Sequence, residues 1–521
     1  MSSSAMSRPA VGAGALAMVV SFVGSWIPLF WYDEMATLSA ARRSPDELLR
    51  LVGNVDAVHG LYYALMSGWL QLVPDTTLWV RLPGVVAIGV AGAGVFVLTR
   101  MIASPTTAWI AAVVFAVLPA TVQTAVEARP YAFTMAAAVW STVALVSLIR
   151  ALLDGGRWWP YAVGYVALIV LTVMFASLSL LILGAHAVTV LWAARTRRAV
   201  GVYALCAVTA IALVSPLVLE VSSQSGQVDW ISRFHYSPVL RMNDVAFPYA
   251  PQLTLLVLVV LVWALIRATR RRRSGAGGDE LSATASTAET SPPDRMAPSL
   301  TAVAGPWLIV PPVLLALYSL VVTPAFVTRY LTFSAPAVAI LLAGAFAWLG
   351  ARRRLFSIPA AAVWTAVFVV LAIPSVVFLH STFAKPFGSD YRTVSAYLGS
   401  HVDRDDCVVY GYLEHPEYNA RFVSQGYPQG FGSGRDLLVD RSVPSAVERG
   451  QLWEKDVPVE TVGARAAGCP RVWVLTDDAD ANTPVTSLRQ AGFRDQPPMT
   501  AKELRVIEFL PPPGESSPGA R

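Results

Sequence analysis

Apolar runs long enough to cross a lipid bilayer follow one another along most of this 521-residue chain. A helix needs about 20 apolar residues to cross, and about eleven such runs are present. Because a bilayer forces backbone groups to bond within their own segment, these runs predict transmembrane helices. The predicted spans are Val11–Phe30, Val80–Ile102, Ala108–Val126, Tyr131–Ile149, Tyr161–Ala176, Leu178–Ala194, Val200–Val221, Pro251–Ile266, Ala302–Val322, Leu331–Leu349 and Ile358–His380.

The composition excludes a soluble protein. Hydrophobic residues make up 55% of the chain and charged residues only 14%, which indicates an α-helical polytopic membrane protein. The net charge of +5 does not indicate a nucleic-acid partner, because the basic residues lie in short runs between apolar spans. Basic residues in such loops are typical of membrane proteins, where they set the orientation of the chain.

The distribution of arginines predicts the topology. With a cytoplasmic N-terminus, each predicted inside loop is basic, as the positive-inside rule requires. The inside arginines are Arg100, Arg150, Arg157, Arg195, Arg197, Arg198, Arg270–Arg273 and Arg352–Arg354. An odd number of crossings then places everything after His380 outside the cell membrane. Arg42, Arg43 and Arg50 depart from this pattern, although the acidic residues beside them partly balance their charge.

Two domains are predicted: a transmembrane module over residues 1–380 and an extracytoplasmic domain over 381–521. Within the module, residues 31–79 form an outer loop whose Ala57–Val73 segment is too short and too aromatic for a crossing. This segment fits a helix lying at the membrane interface. Residues 270–299 are rich in Arg, Ser, Ala and Gly without periodicity, which predicts a disordered cytoplasmic linker.

The C-terminal region changes in character. Short apolar runs at Val408–Tyr412, Val472–Thr476 and Val506–Leu510 predict buried strands, and Tyr391–Leu398 and Ser487–Ala491 predict helices between them. The region is therefore expected to be a small α/β domain. Cys407 and Cys469 each precede a strand; they are either a disulfide in an oxidising compartment or two separate buried thiols.

Charged and polar residues, which lose free energy of hydration near a membrane, lie at the predicted outer ends of helices. For each residue alone, a headgroup anchor or a helix cap is a sufficient explanation. As a set, carboxylates and arginines beside apolar helices must pair or bind a charged ligand. The set comprises Asp33, Glu34, Asp56, His59, Arg81, Glu127, Arg129, Arg329 and Tyr330.

An anionic headgroup on a lipid tail suits this set. Arginines bind phosphate through paired hydrogen bonds, and apolar helices accommodate the tail. When the lipid is a polyprenyl-phosphate sugar, the phosphate is already a good leaving group. The reaction then needs a base for the acceptor hydroxyl and cations for the departing phosphate.

At these residues the sequence resembles the GT-C membrane glycosyltransferases, in the branch that holds protein O-mannosyltransferases and lipid A aminoarabinose transferases. The likeness covers residues 10 to 350 and rests on motifs in the same order. They are Asp33-Glu34, the segment His59 to Tyr63, the Arg-Leu-Pro turn at Arg81, the Glu-x-Arg-x-Tyr segment at Glu127 to Tyr131, and Arg329-Tyr330. HGLYY departs from the proline-rich run of many members.

The resemblance implies inverting transfer of a sugar from a polyprenyl-phosphate donor to an extracytoplasmic hydroxyl. Asp33 would be the base, with Glu34 supporting it. The phosphate would be bound by Arg129, Arg329 and Arg81, and the substrate pocket would be formed by Asp56, His59, Tyr63, Glu127, Tyr131 and Tyr330. Some members bind a divalent cation, for which Asp33, Glu34, Asp56 and His59 offer ligands; this remains open, and no other cofactor is expected.

The sugar and the acceptor are not fixed by the sequence. High Ala, Val and Arg usage resembles that of an actinobacterium, where mannose or arabinose would be the donor sugar. The acceptor is a glycolipid, a polysaccharide or a protein. Two other classes stay open: a lipid or sugar transporter (a flippase), for which internal repeats and midplane charges would be expected, and a non-catalytic subunit of cell-envelope assembly.

Overall fold

The structure is a computed structural model that describes residues 3–228, 231, 241–275, 298–350, 354–355, 358–385, 390–413, 419–431, 434–477 and 483–512. The chain folds as two compact units. The first contains Met1–Ser25 and Arg81–Leu379, and the second contains Trp26–Val80 and His380–Arg521.

The first unit is built from apolar helices. Among the described residues, six are long and apolar enough to cross a membrane, or seven when a bent pair is taken as one span. These six are Thr77–Ile102, Tyr131–Leu153, Arg197–Ser223, Leu300–Val321, Thr328–Gly350 and Ala360–Leu379. Shorter apolar helices occupy four more predicted spans, at Ser7–Phe22, Trp159–Phe175, Ser177–Ala193 and Pro251–Trp263. Eleven crossings therefore remain a prediction, while a membrane-embedded helical unit is confirmed.

Two predicted spans differ from the helices observed. The first helix, Ser3–Phe22, ends well before Phe30, because Gly24 adopts a left-handed conformation with φ of 90°. The span predicted at Ala108–Val126 is a bent pair, Pro105–Val117 and Pro119–Ala125, with an angle of 56° between its halves. Pro119 removes a backbone donor and clashes with the preceding turn, which breaks the helix there.

Small residues allow the first helix to approach Thr77–Ile102 closely. A Cβ built on Gly14 would lie 2.6 Å from the carbonyl oxygen of Gly89, and one built on Gly92 would lie 2.8 Å from the Cβ of Ala17. Both substitutions would push the backbones apart. This is the packing by which membrane helices associate when water supplies no driving force.

The predicted linker at 270–299 falls mostly outside the described residues. The helix Pro251–Gly275 extends into its first residues, and the next helix begins at Leu300. Residues 276–297 are not described, so disorder there stays a prediction. Two short antiparallel strands, Arg354–Leu355 and Ile358–Pro359, precede the last apolar helix of the unit.

The second unit joins the predicted outer loop to the C-terminal region. The loop forms the helices Tyr32–Ala41, Pro45–Val52 and Gly60–Leu70. The predicted division assigned residues 31–79 to the membrane module, whereas the structure groups residues 26–80 with 380–521. Long-range contacts account for the grouping: the Trp453 indole donates to the Tyr32 hydroxyl at 2.7 Å, and the Phe30 amide donates to the Tyr427 hydroxyl at 2.9 Å.

A mixed sheet of six strands forms the core of the C-terminal region. Cys407–Tyr410 pairs in parallel with Arg435–Asp436 on one side and with Val472–Thr476 on the other. Leu504–Leu510 lies antiparallel to Val472–Thr476 and also pairs with the short strands Arg494–Asp495 and Met499–Ala501. Every residue of the two central parallel strands is buried, as their unbroken apolar sequence predicts.

Short helices accompany this sheet. Tyr391–His401 begins with Asp390, whose side chain accepts a hydrogen bond from the Thr393 amide at 3.1 Å. This N-cap satisfies one of the free amides of the first turn. The other helices are Val423–Gly426, Val462–Arg465 and Thr483–Gln490. The α/β character of the region agrees with the sequence analysis.

Cys407 and Cys469 form a disulfide whose Cα atoms lie 5.8 Å apart. The pair closes a loop of 62 residues beside the strand Val472–Thr476. We expect Cys469→Ser to destabilise this region by about 4 kcal/mol, because a loop of this length is then unconstrained in the unfolded chain. The measurement is amide hydrogen exchange in Val472–Thr476, which should become faster.

The third cysteine supplies the matched control. Cys206 is a buried free thiol in the helix Arg197–Ser223, so Cys206→Ser should leave exchange in the sheet unchanged. Equal exchange in the Cys469→Ser variant and the wild type would show that the disulfide does not stabilise the sheet.

Candidate active site

Asp33 and Glu34 lie in the first turn of the helix Tyr32–Ala41. Acidic residues are favoured there by the partial positive charge of the helix N-terminus. The two side chains differ in exposure: Asp33 is partly exposed, whereas Glu34 is fully buried. The pair therefore contains one partly exposed residue and one that is enclosed by the protein.

Lys385 is the buried cation that faces Glu34. Its Nζ lies 3.8 Å from Oε2 of Glu34, and both side chains are almost completely shielded from solvent. A buried carboxylate needs such a partner, because an isolated charge is costly to desolvate. The arrangement fixes Glu34 within the second unit and leaves Asp33 as the accessible member.

Lys385 was not predicted from the sequence. The chain contains only three lysines, Lys385, Lys455 and Lys502, in a composition otherwise dominated by arginine. A lysine five residues beyond the last apolar span was therefore a usable signal. Its partner Glu34, however, lies some 350 positions away, and no local pattern connects the two.

Asp56, His59 and Tyr63 form a second cluster in the same unit. The Tyr63 hydroxyl donates to Oδ2 of Asp56 at 2.7 Å, and the rings of His59 and Tyr63 meet edge to face at 5.7 Å. Asp56 has a φ of 58°, a left-handed conformation that aspartate tolerates better than most residues. The helix Gly60–Leu70, which carries Tyr63, packs against the helix of Asp33.

Glu127 and Arg129 lie in the tight turn before the helix Tyr131–Leu153, in the first unit. The Arg129 amide donates to the Glu127 carbonyl at 2.8 Å, and the Gln123 side chain donates to Oε1 of Glu127 at 3.4 Å. Glu127 and Arg129 are each 6% exposed, and Tyr131 is also buried. The Glu-x-Arg-x-Tyr motif is thus an ordered, enclosed turn.

Arg329 and Tyr330 belong to the 3-10 helix Thr328–Ser334. This segment packs against Tyr131–Leu153 and against Pro119–Ala125, the two helices that flank the Glu127 turn. The Arg329 guanidinium lies over the Tyr330 ring, 5.8 Å from its centre. The fold therefore brings Arg129 and Arg329, some 200 positions apart, onto neighbouring elements of one unit.

Arg81 has a different environment. It is completely buried, and its Nη1 donates to the Ser25 carbonyl at 2.7 Å. Three positions along, a Cβ on Gly84 would lie 3.7 Å from the Glu127 carbonyl oxygen, so this helix packs closely on the Glu127 turn. Arg81 thus bonds to the chain just after the first helix, and its role at a phosphate stays a prediction.

The candidate residues divide between the two units. The second unit brings together Asp33, Glu34, Asp56, His59 and Tyr63, and the first contains Arg81, Glu127, Arg129, Tyr131, Arg329 and Tyr330. Among the described residues, no group of three or more His, Cys, Asp or Glu side chains is arranged to hold a metal ion. Because Lys385 already faces Glu34, we assign no step to the divalent cation that the resemblance left open.

The fold of the chain is similar to that of ArnT in two solved structures. The similarity is to ArnT from Cupriavidus metallidurans in the apo state, with a TM-score of 0.53, 13% identity, and coverage of 97% of this chain and 98% of that one. For the ArnT structure bound to undecaprenyl phosphate, the TM-score is 0.52 at 13% identity, and the match covers 96% of this chain and 97% of that one. At this identity the likeness establishes the fold alone.

A more distant similarity links the chain to the archaeal oligosaccharyltransferase AglB from Archaeoglobus fulgidus, in complex with an inhibitory peptide and a dolichol-phosphate. Its TM-score is 0.41 at 12% identity, over 89% of this chain and 69% of that one, and it adds nothing to the assignment. No family model matches the chain, and no curated protein matches it in sequence.

Proposed function

We propose that the chain is an inverting glycosyltransferase that moves a sugar from a polyprenyl-phosphate donor to an extracytoplasmic hydroxyl. The observation that carries the proposal is the ArnT fold over nearly the whole of both chains, together with enclosed arginines at the helix ends of the first unit. ArnT itself has been seen bound to undecaprenyl phosphate, a ligand of the class proposed here.

The reaction is a single displacement. The Asp33 carboxylate accepts the proton of the acceptor hydroxyl as that oxygen attacks the anomeric carbon of the donor. The bond from this carbon to the phosphate oxygen breaks, and the lipid phosphate leaves with the electron pair. The configuration at the anomeric carbon is inverted because attack and departure occur on opposite faces.

Exposure divides the roles of the acidic pair. Asp33 is partly exposed and can meet an acceptor. Glu34 is enclosed beside Lys385, and we assign it a positioning role that fixes the first turn of the helix Tyr32–Ala41. Asp56, His59 and Tyr63 are assigned to the acceptor, and the bond between Tyr63 and Asp56 joins two of them.

The donor phosphate is assigned to Arg129 and Arg329. Both lie on elements that pack together in the first unit, and two guanidinium groups suit the charge of a departing phosphate. Glu127, Tyr131 and Tyr330 are assigned to the sugar of the donor. Arg81 is a third candidate for the phosphate; its guanidinium is buried and bonded to the Ser25 carbonyl.

Mannose or arabinose is the proposed donor sugar, and a glycolipid, polysaccharide or protein is the acceptor. The disulfide between Cys407 and Cys469 supports an oxidising, extracytoplasmic location for the C-terminal region. The test is to supply purified protein with radiolabelled polyprenyl-phosphate mannose or arabinose and a cell-envelope fraction. Label should enter an acceptor; failure with every polyprenyl donor would reject the proposal.

Replacing the phosphate-binding arginines should weaken the donor interaction. We expect Arg129→Ala and Arg329→Ala each to lower kcat/KM for the donor by about 100- to 1,000-fold, because each removes charge that stabilises the leaving phosphate. Arg→Lys at either position should recover only part of the loss, since lysine lacks the planar, bidentate geometry.

The control for these variants is Arg157→Ala, because Arg157 is an exposed residue of the same unit. It should transfer sugar at the wild-type rate. Wild-type donor kinetics in both the Arg129 and the Arg329 variant would remove the phosphate site from the proposal.

A further inference from the structure

The second unit contains a cavity of about 470 Å³ that the proposed reaction does not use. It lies between the C-terminal end of the helix Tyr32–Ala41, Tyr412, and the segments 419–425 and 446–456. Its volume is within the range of about 300–1,000 Å³ that is typical of small-molecule sites.

The formal charges that line the cavity cancel. Arg42, Arg43 and Arg421 face Glu47, Glu454 and Asp456. A phosphate or carboxylate ligand would therefore meet as many negative as positive groups. No net attraction would offset the free energy needed to remove the anion from water. The cavity is polar without selecting for an ion, which favours a neutral ligand with many hydroxyl groups.

Asp456 organises one wall of the cavity. It accepts hydrogen bonds from Nη1 of Arg421 at 2.9 Å, from the Tyr412 hydroxyl at 2.8 Å and from the Asn419 amide at 3.0 Å. Burial and the hydrogen bond to Asp456 raise the pKa of Tyr412 to about 12, so this hydroxyl stays protonated at physiological pH. The wall is consequently rigid and its donors are fixed.

Two guanidinium groups of the lining retain hydrogen-bonding capacity. Arg43 is 6% exposed, and its Nε donates to the Ser39 carbonyl at 3.3 Å. Neither Nη1 of Arg43 nor Nη2 of Arg421 bonds to any atom in the described part of the chain. Buried donors of this kind require a partner, and the hydroxyl oxygens of a bound ligand would supply one.

Aromatic rings lie beside these polar groups. Tyr412, Phe422 and Trp453 all line the cavity, and Trp453 is held by its bond to Tyr32. A sugar presents apolar C–H faces and a rim of hydroxyls. The aromatic rings can pack against the C–H faces of a sugar, and the polar side chains beside them can bond to its hydroxyls. Ligand sites commonly combine apolar walls with a few polar groups in this way.

We propose that this cavity binds a neutral saccharide and serves as a docking site for the acceptor glycan, an inference that rests on the proposed function. Ser39, which lines the cavity, lies six residues beyond Asp33 on the same helix. At 1.5 Å per residue, this corresponds to about 9 Å along the axis. An oligosaccharide seated in the cavity can therefore extend to the proposed base.

The test is titration calorimetry of the donor-free, full-length protein in nanodiscs with mannobiose, arabinobiose, galactobiose and maltose. At least one should bind. Ser424→Trp fills the cavity and Tyr412→Ala removes a ring; each should weaken binding about tenfold or more. Ser400→Trp and Phe383→Ala change exposed residues of the same unit outside the lining, and they should bind as the wild type does.

Binding is measured without donor or turnover, so it is independent of the transfer assay. Saccharide binding that is lost in Ser424→Trp supports the site whether or not the protein transfers sugar. The site is overturned when no disaccharide binds, when inorganic phosphate displaces the disaccharide, or when Ser424→Trp binds normally. Unchanged acceptor KM in Ser424→Trp during active transfer overturns the docking role and leaves the glycosyltransferase intact.

Discussion

Asp33→Asn should abolish sugar transfer while leaving the protein folded. Asparagine has nearly the same shape but cannot accept the proton of the acceptor hydroxyl. We expect kcat to fall by about 100- to 10,000-fold, the usual contribution of a general base, with little change in the KM for the donor. Steady-state kinetics with a polyprenyl-phosphate sugar measure both quantities.

The control for this variant is Asp46→Asn. Asp46 is an exposed acid in the first turn of the neighbouring helix Pro45–Val52, so its loss changes the charge of the same unit without touching the proposed base. Asp46→Asn should keep wild-type activity. Substantial activity in Asp33→Asn would show that another group removes the proton.

Lys385→Met should destabilise the second unit by about 3–5 kcal/mol, because it leaves the buried Glu34 carboxylate without this cation. Met keeps most of the length of the side chain and removes its ammonium group. The double variant Glu34→Gln/Lys385→Met should recover much of the loss, since both charges are then absent. Thermal unfolding of the purified variants measures these differences.

An exposed ion pair in the same unit provides the comparison. Lys455 and Asp440 lie 3.5 Å apart, and the lysine side chain is 57% exposed. Surface pairs contribute little because water screens them, so Lys455→Met should unfold close to the wild-type temperature. Equal destabilisation by Lys385→Met and Lys455→Met would contradict the role assigned to the buried pair.

The elements that the sequence predicted well are those with local causes. The run VWVLT predicts a buried strand and forms Val472–Thr476, because a central strand covered on both faces must be apolar throughout. The apolar spans likewise locate the helices of the first unit.

Features with distant causes were not predictable. The grouping of residues 26–80 with the C-terminal region depends on contacts such as that between Tyr32 and Trp453, which are 421 positions apart. The Glu34–Lys385 pair and the cavity depend on the same pairing of distant segments. Motif order indicated a class of chemistry, but it could not separate the partly exposed Asp33 from the enclosed Glu34 or reveal the burial of Arg81.

The proposed protein forms a covalent product and does not merely carry a lipid-linked sugar across the bilayer. Full-length protein is reconstituted in proteoliposomes with radiolabelled polyprenyl-phosphate mannose or arabinose and acceptor glycan. We expect a glycoside of inverted anomeric configuration to form and polyprenyl phosphate to be released in equimolar amount. Asp33→Asn should form neither product. Movement of intact labelled donor across the bilayer without any glycoside would contradict the proposed transfer and favour a flippase.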